Sequence, residues 1–157
     1  MMTDLVYTEC QRMDKGIILE RMPFLKDAEF KKGLIKTEDL VPNKKLLNYV
    51  NEQFTIRSKF YNLPIEQQQI QKEAYFRSGD FSLVYCAYHT KQGLSTGLFP
   101  EDLMILTDES TNENGPSCFK KVPNCCKLLG VDSINIQAYL EDITEGKLRF
   151  ILQQENE

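Results

Sequence analysis

The sequence predicts an α+β protein whose first part is built of short helices and whose second part combines helices with strands. Leu46, Val50 and Phe54 recur at intervals of four residues, which places them on one apolar face of a helix. Residues 134–141 instead alternate apolar and polar side chains, which is the period of a half-buried strand. With 41% hydrophobic and 10% aromatic residues, the chain has enough apolar surface to form a folded core.

Residues 1–60 are predicted to form a small unit of their own. A short extended segment over residues 5–8 is followed by a helix over residues 15–22, which ends before a proline that cannot continue it. A longer helix starts at Lys44, where the preceding Asn43 can accept hydrogen bonds from the unpaired amides of its first turn.

Residues 61–157 are predicted to form an α+β unit for substrate binding or targeting, introduced by a connecting helix over residues 61–77. Pro64 suits the first turn of that helix. Aromatic and β-branched runs predict strands over residues 81–88 and 103–106. A polar stretch predicts a loop over residues 108–117. A helix is predicted over residues 122–129 and ends at Gly130.

A carboxyl-terminal hairpin is predicted to pair residues 134–141 with residues 147–152, because both stretches alternate and a glycine-containing turn joins them. Its apolar face would carry four side chains: Ile134, Ile136, Leu148 and Phe150.

Charge and composition exclude several classes of partner and compartment. The formal net charge is −4 and no basic stripe is evident, which argues against nucleic-acid binding. No run of roughly 18 apolar residues is present, so no membrane span is predicted. The amino-terminal residues do not have the pattern of a secretion signal, and five cysteines suit a reducing, cytoplasmic environment.

The cysteines and the one histidine leave a zinc site open as an alternative. Cys86 and His89 have a ligand-like spacing, and Cys118, Cys125 and Cys126 could supply thiolates. Structural zinc sites usually show two close ligand pairs, whereas this chain has only one, so buried free thiols are favoured and neither metal nor cofactor is predicted. Serine-hydrolase, phosphate-loop and dinucleotide motifs do not occur.

Two segments of the amino-terminal part, DLVYTECQRMDK at residues 4–15 and LVPN at residues 40–43, resemble the two halves of a U-box. The U-box is the zinc-free relative of the RING domain of ubiquitin ligases. The separation of the two segments is close to that of the family, and the resemblance covers residues 1–57. Leu5 and Gln11 depart from the family, which usually has proline and glycine there.

The resemblance implies a ubiquitin ligase that holds a ubiquitin-charged conjugating enzyme in a reactive arrangement and transfers ubiquitin to an unknown protein substrate. It places Lys32 where such ligases carry a basic residue that bridges ubiquitin and the conjugating enzyme. It implies that the conjugating enzyme is bound by Ile17, Arg21, Glu29 and Leu34. It also implies a polar network that holds the loops in place of zinc, formed by Thr8, Glu9, Arg12, Asp14 and Asn43.

Divergent U-boxes also occur in secreted bacterial effectors, for which the site of action would be the host cytosol. Two other functions remain open at this point. The protein could be a U-box-like interaction module without ligase activity, or an α+β binding protein unrelated to that family.

Overall fold

The computed structural model describes residues 2–13, 17–39, 44–91 and 103–143. The predicted α+β class is confirmed, since helices are combined with a parallel pair of strands. The helices are α1 (Asp4–Arg12), α2 (Ile17–Arg21), α3 (Ala28–Lys32), α4 (Lys44–Tyr49), α5 (Arg57–Phe60), α6 (Ile65–Phe76), α7 (Gly79–Lys91), α8 (Val122–Leu129) and α9 (Ile136–Ile143). The strands are β1 (Met104–Thr107) and β2 (Asp132–Asn135).

Helix α1 replaces the extended segment predicted for residues 5–8, so that prediction was wrong. The hydroxyl of Thr3 caps the helix by accepting a hydrogen bond from the amide of Val6 at 3.3 Å. Asp4 in the first turn and Arg12 in the last complement the helix dipole. A good cap and favourable end charges therefore outweigh the weak strand preference of so short a run.

Two short helices and a 3₁₀ turn follow. Helix α2 agrees with the predicted 15–22 helix over the described residues, and the chain turns immediately afterwards at Pro23–Lys26. Asp27 then caps α3, since its carboxylate accepts a hydrogen bond from the amide of Glu29 at 2.8 Å. The turn packs against both helices.

Helix α4 carries the predicted apolar stripe into the core. Leu46, Val50 and Phe54 are completely buried, and the helix passes into a π-helical turn over Val50–Phe54. The turn ends at Thr55, whose hydroxyl donates to the carbonyl oxygen of Val50 at 2.7 Å. The predicted cap at Asn43 lies outside the described residues.

Helix α7 is the central element of the described chain, and it corrects the strand predicted for residues 81–88. Phe81, Val84, Tyr85 and Tyr88 share one buried face, and Ser82 and Ala87, which lie on other sides of the helix, are buried as well. A helix that is enclosed all round is apolar all round, so its sequence loses the 3.6-residue period and looks like a buried strand.

Helix α8 connects the two strands, as a parallel pair requires. The predicted helix over residues 122–129 is confirmed, and Gly130 ends it with a left-handed φ of 65°. The predicted strand over residues 103–106 is confirmed as β1, which is paired with β2 so that Met104 faces Asp132 and Leu106 faces Ile134.

The predicted hairpin of residues 134–141 and 147–152 is wrong in its first strand, because β2 ends at Asn135 and α9 starts at Ile136. The side chain of Asn135 accepts a hydrogen bond from the amide of Gln137 at 2.8 Å and so initiates the helix. Ile136 and Leu140 share a face in a helix as well as in a strand, so the alternation was ambiguous. The predicted partner strand, with Leu148 and Phe150, lies outside the described residues.

One apolar core contains residues from both sides of the boundary predicted near residue 60. The stripe on α4 and its π-helical turn packs in the same cluster as Tyr75, Phe119 and the buried face of α7. The rings of Tyr75 and Phe119 are stacked, with their centroids 4.1 Å apart and an angle of 6° between their planes. Hydrogen bonds cross the boundary too, from the amide of Lys120 to the carbonyl of Phe54 at 2.7 Å and between the hydroxyls of Thr3 and Ser82 at 2.6 Å. The division into two domains stays a prediction.

Candidate functional site between α2 and α3

Exposed apolar side chains gather where the chain turns between α2 and α3. Phe24 is 56% exposed and Met22 is 48% exposed, although both are large and apolar. The ring of Phe24 meets the half-buried ring of Phe30 edge-on, with centroids 5.5 Å apart. We call the surface formed by Met22, Phe24 and Phe30 the α2–α3 face.

Charged side chains predicted for partner binding border this face. Arg21 ends α2 and is exposed. On α3, the ammonium of Lys32 lies 2.7 Å from the carboxylate of Glu29, and both side chains are largely in solvent. An exposed pair of this kind contributes little to stability, so both charges are available to a partner.

The structure says less about Ile17 and Leu34, the two apolar residues that are predicted for the same surface. Ile17 is the first residue of α2, and its side chain is outside the described part of the structure. Leu34 is half-buried after α3 and donates its amide to the carbonyl of Lys31 at 3.3 Å. The structure thus adds Met22 and Phe24, which sequence reasoning missed. The available signal was an apolar run, Met22-Pro23-Phe24-Leu25, between charged residues.

The residues predicted to form a polar network have different partners in the described structure. Thr8 donates its hydroxyl to the carbonyl of Asp4 within its own helix at 2.8 Å. Glu9 accepts a hydrogen bond from the amide of Gly79, 70 residues away, at 2.6 Å. Arg12 is exposed in the last turn of α1. Asp14 and Asn43 lie outside the described residues.

The carboxylate of Glu9 belongs to an acidic cluster at the amino-terminal ends of α7 and α8. Glu109 likewise accepts a hydrogen bond from the amide of Val122 at 2.8 Å. Asp80 is in the first turn of α7, and partial desolvation of its carboxyl, together with repulsion by Glu109 and Glu9, raises its pKa to about 6. Glu9 and Glu109 therefore act as helix caps, and the raised pKa of Asp80 reflects the nearby carboxylates as well as desolvation.

The cysteines are free thiols, and three of them, Cys118, Cys125 and Cys126, are buried as the sequence predicts. Burial raises the pKa of Cys125 to about 12 and that of Cys126 to about 11, so both are protonated at neutral pH and unsuited to nucleophilic attack. Within the described ranges, no group of three His, Cys, Asp or Glu side chains is placed to hold a metal ion. Over the same ranges, no helix is both long and apolar enough to cross a membrane.

Comparisons of the chain with protein-family models, with curated proteins and with solved structures found no match.

Proposed function

We propose that this protein is a U-box-like interaction module that docks a partner protein on the α2–α3 face. The observation that carries the proposal is the exposure of Phe24, at 56%, beside Met22, at 48%. Single exposed apolar residues are common on monomers, but an aromatic and a methionine two residues apart, with charged residues nearby in the sequence, have the composition of an interface centre.

The arrangement has the features that concentrate binding energy in a few side chains. Phe24 is held edge-on against Phe30, so little conformational freedom is lost when a partner covers it. Arg21 and Lys32 lie on the flanking helices and would form a polar rim. Hot spots in interfaces are typically central aromatic residues enclosed by such a rim.

The resemblance to U-boxes supports a ubiquitin-conjugating enzyme as the partner. In that family the conjugating enzyme is bound by a first loop, the short helix and a second loop. The resemblance aligns the short helix with α2 and the second loop with the segment around Leu34. Met22 and Phe24 lie between these two segments in the sequence, which supports the α2–α3 face as the docking surface.

Phe24→Ala is expected to weaken binding of the conjugating enzyme by at least about tenfold, because truncation removes the central apolar anchor. Binding is measured by NMR titration of the full chain against a panel of ubiquitin-conjugating enzymes. Ile65→Ala is the matched control, since Ile65 is 85% exposed but lies on α6. The proposal fails if no member of the panel binds at high micromolar concentration, or if both variants weaken binding equally.

A second candidate function is ligase activity, which the exposed position of Lys32 favours. Its side chain is 72% exposed at the carboxyl end of α3, where it is free to contact ubiquitin carried by a docked enzyme. The ligase would act by restricting the charged enzyme to its reactive geometry, without a covalent intermediate of its own.

Lys32→Ala is expected to slow ubiquitin discharge about fivefold while docking changes less than about twofold, because the lysine contributes charge to the reactive arrangement. Lys32→Arg should retain or increase the rate, since the guanidinium can bridge two acceptors. Discharge of charged conjugating enzyme to free lysine measures the rate, and the titration measures docking. If the wild type docks an enzyme without accelerating discharge, the module is inactive as a ligase. Equal discharge rates for all three proteins would exclude the role of Lys32.

A further inference from the structure

An open groove of about 650 Å³, lined mainly by polar residues, runs along α8. It is formed by other elements than the α2–α3 face. Its volume lies within the range of small-molecule sites. One wall is α8 and the other is the loop that follows β1. The described residues that line the groove are Thr111, Glu113, Lys120, Asn124, Lys127 and Leu128.

The loop wall of the groove is held in place before any ligand arrives. The side-chain amide of Asn124 donates to the carbonyl of Thr111 at 2.9 Å and to the carboxylate of Glu113 at 2.6 Å. From the other side, the ammonium of Lys59 donates to the carbonyl oxygens of Glu113 and Gly115. A site whose walls are already ordered does not lose that entropy again on binding.

The charges of the groove have the opposite sign to the charge of the whole chain. Lys120 and Lys127 line it together with a single carboxylate, that of Glu113. The Glu113 carboxylate lies 3.4 Å from the ammonium of Lys120, whereas Lys127 is exposed and forms no ion pair with any described residue. The groove is therefore locally positive on a protein of net charge −4.

We propose that this groove binds a ligand that carries two carboxylates, one paired with Lys127 and the other with Lys120. Charge-assisted hydrogen bonds from ammonium groups to carboxylates would supply the main affinity. Leu128, at the margin of the groove, is 38% exposed and would contact the carbon chain between the carboxylates. Two sources share this chemistry: a small dicarboxylic acid, or an acidic segment of a partner protein.

Glu113 and Lys127 allow variants with opposite effects. Lys127→Ala should weaken binding about tenfold, because it removes one of the two charge-assisted contacts. Glu113→Gln should strengthen binding about threefold, because it removes the carboxylate that competes for Lys120 but keeps an oxygen to accept from Asn124. Lys44→Ala, an exposed lysine on α4, is the control and should bind like the wild type.

Binding is measured by isothermal titration of the full chain with succinate in one arm and hexaglutamate peptide in the other, at two ionic strengths. Thermal melting of each variant checks that it is folded. Saturable binding in either arm with the opposite effects of Lys127→Ala and Glu113→Gln supports the proposal, and the tighter arm identifies the source. Binding that neither variant changes, no binding at millimolar ligand, or preference for a poly-dT oligonucleotide would overturn it.

Discussion

Phe54→Ala is expected to lower the free energy of unfolding by about 3–5 kcal/mol, because it removes a completely buried ring from the middle of the core. The centroid of its ring lies 6.2 Å from that of Tyr49, and the backbone carbonyl of Phe54 accepts a hydrogen bond from the amide of Lys120. Because the ring is completely buried within the core cluster, the loss should be near the upper end for large-to-small substitutions.

Urea unfolding followed by far-ultraviolet circular dichroism measures this effect. Phe24→Ala is the matched control, since the same atoms are removed from a mostly exposed side chain, and its loss should stay below about 1 kcal/mol. Phe54 belongs to a cluster that also contains Tyr75 and Phe119, so signals from both parts of the chain should shift together. A loss of less than about 1 kcal/mol for Phe54→Ala would contradict the described core.

Gly79→Ala is expected to destabilise the protein by about 1–2 kcal/mol, because the new Cβ would occupy the place of the Glu9 side chain. That Cβ would lie 2.5 Å from a carboxylate oxygen of Glu9 and 3.0 Å from a methyl group of Val6. Glu9 would have to move, and the amide at position 79 would lose the hydrogen bond that starts α7. The higher helix propensity of alanine offsets part of this loss.

A double-mutant cycle separates the clash from other effects of the substitution. In a Glu9→Ala background, Gly79→Ala should cost much less than it does in the wild type, since the carboxylate that it displaces is already absent. Gly115→Ala is the control, because no atom lies within 4 Å of the Cβ it would add. Strictly additive losses of Gly79→Ala and Glu9→Ala would show that the two residues do not interact.

The sequence predicted a location for a partner-binding surface, which stays a prediction, but it did not predict the apolar side chains that are exposed there. The resemblance to U-boxes directed attention to residues 17–34, and the described Arg21, Glu29 and Lys32 are exposed there. Phe24 was missed because burial is a property of the whole fold: an aromatic residue after a proline is as compatible with a core position as with a surface one. Only its exposure in the folded structure distinguishes the two.

Several elements were determined by the sequence alone, because their signals act within a few residues. Gly130 ends α8 since it can adopt the left-handed conformation, and the apolar spacing of Leu46, Val50 and Phe54 already required a helix with one buried face. The strand β1 followed from its run of apolar residues. In each case the local pattern and the final environment agree.

Tertiary structure decided the elements whose local patterns fit two conformations. Residues 81–88 became a helix because neighbours enclose it on all sides, and such enclosure cannot be read from a short apolar run. The start of that helix depends on Glu9, which is 70 residues away along the chain. Residues 136–143 suit a helix as well as a strand, and no strand among the described residues pairs with them, so the cap from Asn135 prevails. Buried backbone N–H and C=O groups need hydrogen-bond partners. Where the side-chain pattern suits a helix as well as a strand, the partners that the fold provides determine which of the two forms.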